Sequence, residues 1–355
     1  MAEPEVSIIM PVYNSHPEEL REAVESALGQ TLRNIELVCV DDGSVDDTPV
    51  RLDAFAQKDE RIRVIHLQTN QGTLAARNAA IIAAKGQYIL PLDPDDALHE
   101  DACEVLVKMM KARSLDMLQF AVETSAKGDR YCEWANPAVD EDLDASDFAY
   151  DIFVCKSRSW GIVKMFRREP LAVAAASFPS GYCANGEDGL LLFKFLSSVH
   201  RVGCTPLALY RYRYGGGLST SLRPSRAQAV RIMRSLQYSL PWLKCQSSKL
   251  AKPFRRELLR TSLDALVRSR MDKKTRDDIA CTLLNVSSPK EIVATFKTFA
   301  PISACARRLL CIKRFVARNS RHRRKLLRKI ALSARVADMV KTVHHKRSHD
   351  ATVYL

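Results

Sequence analysis

The sequence predicts an α/β protein whose mostly parallel sheet is covered by helices on both faces and is followed by a C-terminal helical region. Short apolar runs alternate with helical patterns over the first 123 residues, as expected for successive βαβ units. Several of these runs are continuously apolar, which is typical of strands buried on both faces of a parallel sheet. Apolar residues are 46 % and charged residues 27 % of the 355 residues, so composition excludes a disordered or fibrous chain.

Local signals define the elements of the first half. The run 6–13 (VSIIMPVY) has the continuous apolar character of a buried strand. Ser15 and Glu18 form an S-x-x-E capping-box pattern before a helix that Gly29 can end. In order, we predict strands over 6–13, 35–40, 61–67, 88–92 and 116–123, with helices after Ser15, from about 48–49, over 72–84 and over 100–113.

The second half is less regular. Residues 124–150 are polar and acidic and are interpreted as a long loop or insertion, and 181–189 is a turn-rich stretch. Helical patterns continue beyond Pro224, which places the main boundary near residue 223. We therefore predict an α/β domain over 1–223, a helical extension over 224–300 and a basic amphipathic tail over 301–355. Within the α/β domain, we expect further strands over 160–166 and 209–214 and a helix over 190–196.

The basic charge of the chain is confined to the tail. Residues 301–355 hold 15 Lys and Arg against 2 Asp and Glu, which accounts for the whole net charge of +13. Apolar and basic residues from Ile302 to Arg318 fall on opposite helical faces, except for Lys313 on the apolar side, which is typical of a helix lying on an anionic membrane surface. The alternative is a helix packed on the first domain. With no secretory signal pattern at residue 1, we expect a cytoplasmic protein held peripherally at the inner face of the cell membrane.

Acidic clusters follow two of the predicted strands. Asp41 and Asp42 come after the second strand, and Asp93, Asp95 and Asp96 come after the fourth. Ligands of open α/β sheets bind at the carboxyl ends of the strands, so these acids are candidates for a functional site. Oxygen ligands of this kind suit Mg²⁺ or Mn²⁺. The sequence contains no P-loop, no G-x-G-x-x-G after a strand and no G-x-S-x-G, which argues against three common α/β enzyme classes.

Five motifs follow one another along the chain. They are Pro11-Val12-Tyr13-Asn14, Val40-Asp41-Asp42-Gly43-Ser44, Gly72 with Ala76-Arg77-Asn78, Leu92-Asp93-Pro94-Asp95-Asp96, and Glu187-Asp188. In this order they resemble the family 2 glycosyltransferases, which are inverting enzymes of the GT-A fold, a Rossmann-like architecture. The resemblance covers roughly residues 4–222. The middle position of the D-x-D is Pro94, where a smaller residue is commoner.

This resemblance implies a role for each matching residue. On the donor side, Asp41 is expected to accept a hydrogen bond from a uracil base and Tyr13 to stack on it. Asp95 is expected to be the chief metal ligand, and Asp188 the catalytic base with Glu187 beside it. The remaining implied residues are Pro11, Asp42 and Arg77 around the nucleotide, Asp93 and Asp96 at the ribose or metal, and Arg211, Arg213 and Ser219 over the diphosphate.

The implied function is transfer of a sugar from a nucleotide-diphosphate sugar, of the UDP class, to a hydroxyl of a surface-glycan or lipid-linked acceptor. Mn²⁺ or Mg²⁺ is the expected cofactor, and an anionic membrane surface is an expected partner. Two alternatives remain at this stage. A nucleotidyltransferase can use a similar α/β sheet and metal-binding carboxylates, and a nucleic-acid-binding protein would explain the basic tail. The even balance of charge over residues 1–300 makes nucleic acid the less favoured partner.

Overall fold

The computed structural model describes residues 3–124, 137, 139–152, 163–178, 187–213, 236–237, 239–245, 251–252, 254–256 and 258–259. For Thr124 and Glu187 it describes the backbone alone. The strands are β1 (Val6–Val12), β2 (Ile35–Asp41), β3 (Ile62–His66), β4 (Tyr88–Pro91), β5 (Ala97–Leu98), β6 (Met117–Thr124), β7 (Glu141–Asp144), β8 (Lys164–Arg167) and β9 (Arg201–Tyr212). The helices are α1 (Pro17–Leu28), α2 (Thr48–Lys58), α3 (Thr73–Ala83), α4 (Ala102–Ala112), α5 (Ala145–Tyr150), α6 (Arg168–Ala176) and α7 (Glu187–Leu196).

All nine strands of the described residues belong to one mixed sheet. Its order is β3-β2-β1-β4-β8-β6-β9-β5, and β7 pairs with β9 outside this path. Strands β1 to β4 are parallel, with Val12 beside Asp41 and Ile9 beside Pro91. Strand β8 enters antiparallel between β4 and β6, and β6 is parallel to β9. The carboxyl ends of β1, β2 and β4 therefore meet at one edge, which confirms the predicted α/β class.

Helices cover both faces of the sheet. Ile8 and Met10 of β1 share a buried cluster with Leu20 of α1 and Leu106 of α4. The alternate position Ile9 is equally buried and points to the opposite face, where α3 packs on β1 and β2. Burial of both faces explains why these strands are continuously apolar.

The capping-box prediction for α1 is wrong. The helix begins at Pro17, and His16 occupies the N-cap without a side-chain hydrogen bond. Proline has the fixed φ that a first helical turn needs and lacks an N–H to be satisfied, so this helix start needs no capping hydroxyl. The Ser15 backbone N–H instead donates to Thr48 Oγ1 at 3.1 Å, which ties the β1–α1 loop to α2.

The interpretation of 124–150 as a long loop is also corrected in part. Within this stretch, β7 and the short helix α5 are formed, with Asp144 capping α5 by accepting a hydrogen bond from the Ser146 N–H.

The α6 helix was not predicted, and β9 begins at Arg201, eight residues before the predicted strand. Predicted strand residues 160–162 and 214 lie outside the described residues, as does the tail.

The chain divides into two compact units. The first comprises residues 1–221 with 246–254, and it contains the sheet. The second comprises 222–245 with 255–355, and its described residues 236–237, 239–244, 255–256 and 258–259 are helical. Across the part of the chain that the structure describes, no helix is long and apolar enough to cross a membrane.

Candidate active site

The loops after β1 and β2 are tied together at the sheet edge. Asn14 has a left-handed backbone with φ 45°. Its N–H donates to Ser44 Oγ at 2.9 Å, and its own Oδ1 accepts the Val45 N–H at 2.9 Å. These reciprocal bonds tie the residue after Tyr13 to the β2 loop, and Tyr13 itself is 44 % exposed. An exposed aromatic ring is available to stack on a planar group.

The Asp41 carboxylate is buried at the end of β2 and is fixed at both oxygens. Oδ1 accepts the Ser44 N–H at 3.0 Å, and Oδ2 lies 3.0 Å from Nδ1 of His66. Its side chain is only 3 % exposed. Asp41 pairs in register with Val12, the residue before Tyr13, so the two residues that the sequence interpretation assigned to the donor base lie at neighbouring strand ends.

Asp42 fixes the loop before α3. Its Oδ1 accepts the Gln71 N–H at 2.7 Å and its Oδ2 accepts the Gly72 N–H at 2.8 Å. Gly43 completes this packing, because its φ of +68° favours glycine and an added Cβ would lie 2.6 Å from the Thr69 carbonyl carbon. Asp42 therefore has a bracing role that the sequence interpretation did not include.

The D-x-D-D segment after β4 is anchored to β9 through Asp96. The Tyr210 hydroxyl donates to Asp96 Oδ2 at 2.7 Å and accepts the Asp93 N–H at 3.1 Å. The Arg213 N–H donates to Asp96 Oδ1 at 2.7 Å, and Arg213 Nε donates to the Asp95 carbonyl at 3.0 Å. Burial raises the pKa of Asp96 to about 8, and the negative charges of Asp93 and Asp95 add to this shift. Asp96 thus supports the segment from inside.

Arg77 joins two acidic motifs that are far apart in sequence. Its guanidinium, on α3, is 3 % exposed. Nη2 lies 3.3 Å from Asp93 Oδ1, and Nη1 donates to Asp188 Oδ1 at the start of α7. Burial raises the pKa of Asp93 to about 6, opposed by Arg77 and increased by the charges of Asp188 and Asp95. Because Arg77 is buried and contacts carboxylates of two motifs, it is not a solvated charge on the surface of α3. It links the two motifs inside the site.

Lys164 is a second buried cation near Asp188. It lies on β8, is 1 % exposed, and pairs in register with Gln119 of β6. Burial lowers the pKa of Lys164 to about 8, while attraction to Asp188 acts in the opposite direction. This placement agrees with the sequence interpretation of a packed strand for residues 164–166 of the predicted range 160–166.

The carboxylates of Asp93 and Asp95, here called the acidic edge, fit a divalent cation that is also coordinated by a bound substrate. Asp93 and Asp95 are partly exposed, and burial and neighbouring carboxylates raise the pKa of both. A cation would relieve this repulsion, and carboxylate oxygens suit Mg²⁺ and Mn²⁺. Among the described side chains, no group of three His, Cys, Asp or Glu is arranged to hold a metal alone. Phosphate oxygens and water would have to complete the shell.

The other implied residues are placed as follows. Pro11 is buried in β1 beside Val40. Arg211 is 58 % exposed, with Nε 3.9 Å from Glu123 Oε2, and it pairs in register with Ala97, the residue after Asp96. Glu187 is the first residue of α7, where only its backbone is described, and Ser219 lies outside the described residues.

Sequence reasoning missed His66 and the role of Tyr210. His66 ends β3 at the same edge as Asp41, so the strand-end position itself was a signal that could have identified it. Tyr210 offered no such signal, because its side chain is 1 % exposed and its pattern is that of an ordinary core aromatic. Its function as a hydrogen-bond link depends on contacts over more than 100 residues of chain.

Comparison with known proteins agrees with this geometry. The family model "Glycosyl transferase family 2" matches residues 7–185, and the chain belongs to this family. This confirms the resemblance identified from the motifs and favours glycosyl transfer over nucleotidyl transfer.

Named relatives include proteins with glycosyltransferase names, and a solved structure shares the fold. The chain is 32 % identical over 215 residues to the putative glycosyltransferase EpsH of Bacillus subtilis, covering 60 % of this chain and 62 % of that protein. It is 31 % identical over 241 residues to the succinoglycan biosynthesis protein ExoO of Rhizobium meliloti, covering 64 % and 66 %. The structure of S. aureus TarS residues 1–349 in complex with UDP superimposes with a TM-score of 0.61 at 18 % identity, covering 98 % of this chain and 92 % of that chain.

Proposed function

We propose that the chain is an inverting, metal-dependent, hexosyltransferase-like glycosyltransferase. It transfers a sugar from a UDP-sugar to a hydroxyl of a surface-glycan or lipid-linked acceptor. The observation that carries this proposal is the Arg77 bridge between Asp93 and Asp188. The Arg77 guanidinium contacts both Asp93, which belongs to the D-x-D proposed for the donor site, and Asp188, a partly exposed carboxylate suited to proton transfer.

The donor base is assigned to the tied loops after β1 and β2. Tyr13 offers an exposed ring for stacking, and the fixed Asp41 carboxylate can accept the N3–H of uracil. Pro11 shapes this pocket from β1. The UDP complex of the fold neighbour TarS supports the choice of a uridine nucleotide.

The diphosphate is assigned to the acidic edge. Asp95 and Asp93 would hold Mn²⁺ or Mg²⁺, with Asp96 supporting their loop from inside. A divalent cation there supplies charge stabilisation for the departing diphosphate. Arg211, Arg213 and Ser219 are proposed to close over the phosphates and add electrostatic stabilisation.

The acceptor hydroxyl is assigned to Asp188. Its carboxylate is 30 % exposed and lies in the first turn of α7, where the helix dipole favours a negative charge. There it can take the acceptor proton as general base. If Asp188 lies opposite the leaving diphosphate, the anomeric centre inverts, as in inverting glycosidases. The naming of ExoO for succinoglycan biosynthesis supports a surface-glycan acceptor.

A donor-hydrolysis screen tests the proposal. We expect slow release of UDP from at least one UDP-sugar in the presence of Mn²⁺, with little release of GDP or CDP from GDP- or CDP-sugars. Of the three bases, only uracil carries a hydrogen on N3 that it can donate to Asp41. Released nucleoside diphosphate is quantified by chromatography. Turnover of a GDP-sugar alone would contradict the donor assignment, and absence of nucleotide binding of any kind would contradict the proposed function.

The basic tail is proposed to hold the enzyme at an anionic membrane surface. Residues 321–329 carry six Lys and Arg and no acid, and each is worth about 1 kcal/mol near anionic lipid. We expect Arg321, Arg323 and Arg324 changed together to Gln to reduce sedimentation with anionic vesicles at low salt. The same loss of charge at the exposed Arg21, Lys108 and Lys111 is the control and should leave binding unchanged. Equal behaviour of the two triple variants would contradict the membrane role.

A further inference from the structure

His66 lies between two carboxylates. At the end of β3, its Nδ1 is 3.0 Å from Asp41 Oδ2 of β2, and its Nε2 is 3.1 Å from Asp53 Oδ1 of α2. Among the described residues, Asp41 and Asp53 are the charged groups that act on the pKa of His66. A single imidazole ring therefore connects an acid at the surface with the acid assigned to the donor base.

The ring can satisfy both carboxylates only when it carries two protons. Neutral imidazole has one N–H donor, and its other nitrogen is an acceptor. With both nitrogens facing carboxylate oxygens, the neutral form must leave one of the two contacts without a hydrogen. The doubly protonated form donates to both acids, and these charge-assisted bonds are roughly twice as strong as neutral ones.

The two acids differ in their freedom to respond. The Asp53 side chain is 57 % exposed and can turn to water when its contact is lost. The Asp41 side chain is 3 % exposed and is held at its other oxygen by the Ser44 N–H. Deprotonation of His66 therefore releases Asp53 and weakens, without breaking, the bond that orients Asp41.

We propose that His66 is a positioning residue for the donor base. It holds the Asp41 carboxylate through two linked hydrogen bonds, one between Asp53 and His66 and one between His66 and Asp41. Donor affinity then depends on whether the ring carries one proton or two. This inference rests on the proposed uridine nucleotide site at Asp41. It adds a residue that touches no substrate and acts through Asp41 alone.

The direction of the pH dependence follows from the charges. The hydrogen bond to Asp41, with a further contribution from Asp53, raises the pKa of His66 above its ordinary value of 6.5. The stabilising contribution of the imidazolium is therefore complete below pH 6.5 and is lost as the pH rises through the higher pKa of the folded chain. Donor affinity should follow the same course, higher on the acid side.

The experiment measures UDP affinity of the full chain with Mg²⁺ by calorimetry between about pH 5.5 and 8.5, on both sides of the ordinary histidine pKa. The variants are His66→Gln, Asp53→Asn and His200→Gln, an exposed histidine at the opposite edge of the sheet. The quantity of interest is the Kd of the variant divided by the Kd of the wild type at each pH. Ionisation of the UDP phosphate is common to all proteins, so it cancels in this ratio.

For His66→Gln we expect a ratio of about three- to tenfold at the acid end, falling towards one at the alkaline end. For His200→Gln the ratio should stay near one throughout. In Asp53→Asn, whose exposed side chain makes the substitution safe for folding, the pH midpoint of UDP affinity should move to lower pH. Side-chain NMR of ¹³C-labelled histidine should show the same shift in the pKa of His66.

Two results would overturn this inference, and a third would contradict the proposed nucleotide site. A purely structural role of His66 would weaken UDP binding equally at every pH, and a ratio independent of pH would overturn the inference. An unchanged midpoint in Asp53→Asn would overturn it as well, even if His66→Gln failed to fold. Absence of UDP binding by the wild-type chain would instead contradict the proposed uridine nucleotide site, whereas UDP binding with a ratio independent of pH would overturn this inference alone.

Discussion

Asp188→Asn should lower sugar transfer by about 10²–10⁴-fold, the range typical of a lost general base. Asparagine keeps the size of the side chain and can still contact Arg77, but it cannot accept the proton of the acceptor hydroxyl. The loss should therefore appear in kcat, while affinity for UDP stays close to that of the wild type. Steady-state transfer kinetics and calorimetric UDP binding measure the two quantities separately.

The neighbouring acid supplies the control. Glu187→Gln changes an equivalent group one residue earlier in α7 and should retain most of the turnover. Near-normal turnover in Asp188→Asn together with a large loss in Glu187→Gln would move the base to Glu187. Because Arg77 loses a charged partner in Asp188→Asn, thermal unfolding of both variants is needed to show that the folded fraction is the same.

Asp95→Asn should reduce turnover by about 10²-fold or more, because a bound divalent cation contributes several kcal/mol of charge stabilisation to the leaving diphosphate. Its fold should be preserved, since the segment is anchored through Asp96, Tyr210 and Arg213 and not through the Asp95 carboxylate. Turnover with increasing Mn²⁺ and after treatment with a chelator measures the effect.

Asp101→Asn is the matched control for the metal assignment. Asp101 is an exposed aspartate six residues further along, at the N-cap of α4, where its side chain makes no capping hydrogen bond. It should leave both turnover and Mn²⁺ dependence unchanged. Full activity of the wild type in chelator would contradict the metal role and indicate a metal-independent transferase.

The strands and the acidic edge could be predicted because their signals are local. A buried parallel strand needs a continuous apolar run, and Asp41 and Asp93 directly follow such runs. The course of β9 could not be predicted in the same way, because Pro206 interrupts its pattern. The structure accommodates Pro206 at an irregularity in the pairing with β6, where proline is tolerated.

The side-chain links of the site depend on packing that no sequence window contains. Arg77 and Asp188 are separated by 111 residues, and Tyr210 and Asp96 by 114. A motif predicts that a residue is placed at the sheet edge, but the partner of that residue is decided by how α3, α7 and β9 pack around it. The same limit explains the bracing role of Asp42, since its carboxylate is satisfied by backbone groups of a loop about 30 residues away.

The shared guanidinium of Arg77 restricts how the enzyme can be recombined with its relatives. A chimaera that exchanged everything from α7 onward would replace Asp188 while keeping Arg77 and Asp93 from the original chain. Unless the incoming segment carried an acid that could reach Arg77, this buried cation would lose an acidic partner, which is costly where water has little access. The proposed donor-binding and acceptor-activating parts of this fold are thus separate motifs in the sequence, but they can be exchanged only together.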